Sequence, residues 1–234
     1  MNHVVEMMLS GLSEKDIRSD LNDFLAHQKQ SGGMGNRGKK TYTMAISILG
    51  SWFSPPSDLV GFRDHALHCI RNEKKENWVS YHWAVICASY PLWFNVAKQT
   101  GRLFNLQDAV SQSQIKSRLR EQYGARETVS RNVRYTIRSF NAWNVIEDLP
   151  KRGWYKQSTN KLNCSPSAAA VLFESAMLAS NVSALTMSTL QFHPSFFPFS
   201  ISSIPFEAIL NSSEMLSISN IFSGDYALSL KSSF

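Results

Sequence analysis

The sequence predicts a mainly α-helical protein with a helix, a tight turn, a basic helix and a β-ribbon near its middle, and a small β-containing region at its end. Three observations predict it. Apolar residues recur at three- and four-residue spacing through segments bounded by caps and prolines. Positive charge is concentrated, since residues 116–161 carry eleven Lys/Arg against four Asp/Glu. Residues 162–234 hold one lysine and four acids, and from Leu190 they shift to aromatic loops and alternating apolar residues.

The elements follow in order. Residues 1–30 read as helix, with Ser13 and Asp16 of SEKD in capping-box spacing and Ile17, Leu21, Phe24 and Leu25 behind them. SGGMGNRGKK at 31–40 is a Gly-rich basic loop; its glycines follow no strand and match no phosphate-binding fingerprint. The apolar run from Tyr42 to Phe53 stops at Pro55-Pro56. Ser57 then opens a helix that turns Leu59, Phe62, Ala66, Leu67 and Ile70 inward, and 73–77 is a polar turn. Residues 77–97 carry no charged side chain, but Trp and Tyr run through the segment and Pro91 breaks it, so a buried helix is expected, not a membrane span. A helix over 103–124 ends at Gly124, and NVIEDLPKRGWYKQS reads as two strands around a Pro-Lys-Arg-Gly turn. Ser165-Pro166 starts a further helix, and a closing hairpin turns at Gly224-Asp225.

Net charge divides as +2 over 1–115, +7 over 116–161 and −3 over 162–234. The basic block is an electrostatic footprint for a polyanion. Within it lies RETVSRNVRYTIRSFNAW, residues 126–143. On a helical wheel Arg131, Arg134, Arg138 and Tyr135 share an arc of about 100°, and Val129, Val133, Ile137 and Phe140 fall about 160° to 240° away from Arg131. An ordinary solvated face mixes signs at i,i+4, and this one does not. Helix, turn, basic helix and ribbon is the order of a winged helix-turn-helix, whose second helix enters the major groove. The expected contacts are Arg131, Arg134, Tyr135 and Arg138 at the groove, Lys151 and Arg152 from the ribbon, and Arg118 and Arg120 on phosphates. Arg126 at the turn and Lys156 on the second strand complete the set.

No catalytic signature competes. His65, His68 and Cys69 lie within one helical turn but lack zinc-motif spacing, and Asp64 has no companion carboxylates for metal-dependent hydrolysis. No nucleophile elbow or Walker loop is present, so a non-catalytic protein without cofactor or metal is expected. Cys69, Cys87 and Cys164 follow no paired spacing, which suits reduced thiols in a cytoplasm.

REQYGARETVSRNVRYTIRSFNAWNVIEDL and GWYKQS resemble the winged-helix part of the BREX accessory protein A family (BrxA), over about residues 103–157. That resemblance implies an α-helical DNA-binding accessory of prokaryotic phage-defence clusters, acting beside larger enzymes with no activity of its own. The expected organisation is a helical region over 1–100, the winged helix-turn-helix over 101–161, and a charge-poor helix-plus-hairpin region over 162–234. Duplex DNA is the expected partner, with larger defence-system proteins beside it and no membrane. The rival expectation is an interaction subunit that presents the basic helix and the apolar tail to other proteins.

Overall fold

The computed structural model of the chain describes residues 1–27, 39–222 and 225–231, with side chains from 28 to 44 and from 220 to 224 outside the description. Of the Gly-rich loop expected over 31–40, residues 31–38 lie outside the described residues, as does Gly224 of the final turn, and Lys39 and Lys40 start a helix instead of ending the loop. The protein is mainly helical, with two small antiparallel sheets. The chain divides into two compact units, Met1–Trp78 and Val79–Phe234.

In the first unit, α1 (Asn2–Leu9) and α2 (Glu14–Ala26) replace the single helix expected over 1–30. The break falls at Gly11, whose φ of 80° a β-carbon would resist. Ser13 then caps α2 as its spacing predicts: the Asp16 N–H donates to Ser13 Oγ at 3.3 Å, and the Ser13 hydroxyl donates to Asp16 Oδ2 at 2.6 Å. Ile17, Leu21 and Leu25 are buried, whereas Phe24 is exposed. After α3 (Lys39–Phe53) and the two prolines, Ser57–Leu59 form a 3-10 turn before α4 (Val60–Ile70). Ser57 thus starts the turn and does not cap the helix. Leu59, Phe62, Ala66 and Ile70 point inward as expected; Leu67 is only half-buried.

The second unit is built on α5 (Trp78–Ser89), whose first residue is counted with the first unit, and α6 (Pro91–Phe104); the two separate at Pro91, which takes the first position of α6. Every residue from Tyr81 to Ala88 is buried, the mark of a helix that is apolar all round because it lies in a core. Among the described residues no helix is long and apolar enough to cross a membrane. β1 (Ala109–Ser111) interrupts the helix expected over 103–124 and leads into α7 (Gln112–Tyr123). α8 (Glu127–Ala142), β2 (Ile146–Asp148) and β3 (Trp154–Gln157) follow. The two expected strands pair antiparallel, and β1 adds on the far side of β3 to give the order β1-β3-β2.

α9 (Pro166–Ser180) starts under a Ser165 cap, with Ala168–Met177 wholly buried. β4 (Ala184–Thr186), α10 (Met187–Gln191), a 3-10 turn over Pro194–Phe196, and α11 (Phe206–Asn211) precede the hairpin of β5 (Leu216–Phe222) and β6 (Asp225–Leu230). β4 pairs with β6, giving the order β4-β6-β5.

An aromatic cluster ties these segments together. The Trp83 ring lies 4.6 Å from Trp93, 4.8 Å from Phe140, 5.8 Å from Phe197 and 5.5 Å from Phe199. Its indole N–H donates to the Ser195 carbonyl at 3.0 Å. Each such ring pair contributes ~0.5–1.5 kcal/mol beyond the area it buries. Phe196, Phe197 and Phe199 are thus packed inside the unit, while Phe192 of the same segment is 69% exposed. Gly101 of α6 lets the Pro194 carbonyl come close, because a β-carbon there would sit 1.9 Å from its oxygen.

Candidate nucleic-acid interface

The interface is built outward from the buried side of α8. Val133, Ile137 and Phe140 are fully buried, each contributing roughly 1.5–3 kcal/mol of apolar burial. Thr136 joins them, its hydroxyl donating to the Asn132 carbonyl at 3.0 Å. Val129, expected in the same row, is only half-buried near the helix start. The helix ends at Trp143, and Asn144 takes the left-handed conformation with φ 55°.

With that side fixed by packing, the opposite side follows from the helical period. Arg134 and Arg138 are exposed, and Arg131 and Tyr135 are half-buried. The Arg134 guanidinium lies 5.6 Å from the Tyr135 ring centre, a cation–π contact that holds both side chains on this face. Burial pushes the Tyr155 phenol of β3 up and the Asp148 carboxylate adds to this, while the Arg138 guanidinium opposes it. The C-terminal end of the arginine row is therefore within electrostatic reach of β3.

The β2–β3 turn presents Lys151 and Arg152, both exposed, with Gly153 at φ 76° closing it. The Lys151 ammonium sits 4.4 Å from the Trp154 ring centre. Leu149, Pro150, Lys151 and Trp154 line a shallow apolar depression beside it. Lys156 differs from the rest. It stands opposite Glu147 in the β2–β3 register and pairs with it at 2.9 Å, so much of its charge is already compensated. Sequence alone does not reveal this, because the pairing depends on strand register.

On α7, Ile115 and Leu119 are buried. Arg118 and Arg120 are both exposed, but they flank Leu119 on opposite sides, about 200° apart around the helix. Lys116 stands one turn before Arg120 on the same flank. Lys116, Arg120 and Arg126 meet at a cavity of about 150 Å³ where α7 turns into α8. Lys116 is absent from the residues expected to bind, although its i,i+4 relation to Arg120 was a readable signal. Among the described residues, none of Lys116, Arg118, Arg120, Arg126, Arg131, Arg134, Arg138, Lys151 and Arg152 pairs with a carboxylate.

Elsewhere, His65 Nε2 contacts Cys69 Sγ at 3.4 Å, His68 is exposed, and Asp64 pairs with Arg63 at 2.7 Å. Among the described residues no group of three His, Cys, Asp or Glu side chains is placed to hold a metal ion. The chain matches no family model, no curated protein and no solved structure.

Proposed function

We propose that the protein binds duplex DNA through a winged helix-turn-helix, with α7 and α8 as the helix pair, β2 and β3 as the wing, and β1 closing the small sheet. The observation that carries this reading is the α8 face, where Arg131, Arg134 and Arg138 have no acidic partner among the described residues and lie opposite a fully buried row. The order of helix, strand, two helices and two strands, with an uncompensated cationic turn between the last two, supports it. Arginine suits such a face, since its fork bonds phosphate or guanine bidentately. In this reading α8 enters the major groove, Lys151 and Arg152 grip a flanking phosphate run, and the protein acts by docking, with no catalysis of its own. A role as an accessory component of a phage-defence cluster rests on the resemblance of residues 103–157 alone.

The test is Arg134→Glu with Arg138→Glu, titrated against a labelled duplex over a range of salt, with a thermal melt to show that the fold persists. Affinity is expected to fall by at least about tenfold, and the log K versus log salt slope to flatten by about two units. Unchanged affinity and slope would overturn the reading.

A further inference from the structure

The cavity at the α7–α8 turn has a composition that the groove-facing arginines do not explain. Lys116 and Arg120 reach it from one flank of α7, Arg126 from the turn, and Ser130 and Glu127 from the first turns of α8. Gly124, at φ 75°, ends α7 and folds the chain back so that Arg126 joins the other two cations. Three cations therefore surround about 150 Å³ of space against the single carboxylate of Glu127. Among the described residues none of the three is held in an ion pair. Like charges lining one cavity repel one another, and an anion between them relieves that repulsion.

Arg126 also stands at the N-cap of α8 without a side-chain cap, so the helix adds unsatisfied N–H groups on the same side. No aromatic side chain lines the cavity, so no ring is present to stack on a base or nucleoside, and its apolar lining is limited to Ala125 and Val129. The ligand chemistry is that of a bare phosphate group. Glu127, Val129 and Ser130 of the lining belong to the same helix as Arg131 and Arg134, so in the duplex-binding reading the phosphate is one of a continuous strand.

We infer that Lys116, Arg120 and Arg126 together seat one backbone phosphodiester, which fixes the register of α8 on the strand. This rests on the duplex-binding reading above and goes beyond it, because it predicts that the three residues act on one phosphate and not on three.

The experiment pairs Lys116→Ala plus Arg126→Ala with a set of duplexes, each carrying one neutral methylphosphonate linkage. Arg126 is exposed and Lys116 half-buried, and a thermal melt checks the fold. Wild-type binding should weaken at each contacted linkage, the one seated in the cavity among them, and the double variant should flatten the salt slope by about one unit, not two. At the seated linkage alone the variant should lose nothing more, since that contact is already gone, while the linkages held by Lys151 and Arg152 still weaken its binding. Glu127→Gln, which removes the opposing carboxylate, should tighten binding. If the variant and the neutral linkage weaken binding additively at every position, the shared phosphate does not exist. If the variant binds like wild type while the Arg134/Arg138 reversal abolishes binding, the cavity assignment fails and the duplex reading stands. If the wild type does not bind duplex at all, both fail.

Discussion

At the scale of single residues, the basic face was legible because arginines at 131, 134 and 138 follow the helical period, and exposure follows once the opposite side is packed. The pairing of Lys156 with Glu147 was not legible, since it depends on which residues two strands bring opposite each other. His193 shows the same limit. It stacks on Phe94 at 5.5 Å, and its Nδ1 accepts the Ser195 N–H at 3.3 Å and the Ser195 hydroxyl at 2.7 Å. Burial pulls its pKa from 6.5 down to about 4, with the Lys98 and Arg102 cations adding to the effect. Burial likewise pulls His82 down to about 3. A histidine whose folded pKa lies below its unfolded value lends stability that is present above pH 6.5 and lost as pH falls toward the folded value. Urea unfolding is therefore expected to lose roughly 2.5 kcal/mol between pH 7.5 and 4.5 on account of His193 alone. His193→Gln keeps an acceptor and does not titrate, so its pH profile should be flatter by that amount. An unchanged profile would show that this imidazole is not held neutral.

At the scale of elements, helices with a marked start or stop were readable. Ser13, Pro91, Gly124 and Ser165 all act at ends of helices where the sequence places a boundary. The short strands β1 and β4 were not, because so brief a run carries no periodicity and neither is marked by a turn signal like the Pro-Lys-Arg-Gly that marks the equally short β2. A cue for the first did exist: Ser111 and Gln114 form a complete capping box that starts α7, worth about 1 kcal/mol, and so forbids a continuous helix through 111. The approach of the Pro194 carbonyl to Gly101 had no sequence signal, since a glycine inside a helix reads only as a weak position. Gly101→Ala should cost about 3 kcal/mol or more, because the oxygen in the way is backbone. A loss under about 1 kcal/mol in denaturant unfolding would mean that α6 and the 194–196 turn are not held together.

At the scale of the whole molecule, composition separates a cationic middle from a nearly uncharged end. Most apolar side chains of that end are used inside the second unit, yet Phe192 is 69% exposed, Ile218 44% and Tyr226 37%. These remain available to a protein partner, the rival role for the tail. Affinity capture of the intact chain before and after nuclease digestion separates the two roles. Partners should be lost with the DNA if the cationic face recruits them through nucleic acid. Partners retained in full after digestion would transfer the assignment to protein contacts. The aromatic cluster adds a constraint of timing. Phe140 anchors α8 from behind, and it packs against Trp83 from earlier in the chain and Phe197 from later. During synthesis the arginine row is complete before Phe197 is made, so the part of the apolar side of α8 that Phe197 covers must wait for some sixty more residues to be added. A nascent chain with a finished cationic face and an incomplete core is exposed to aggregation in that interval.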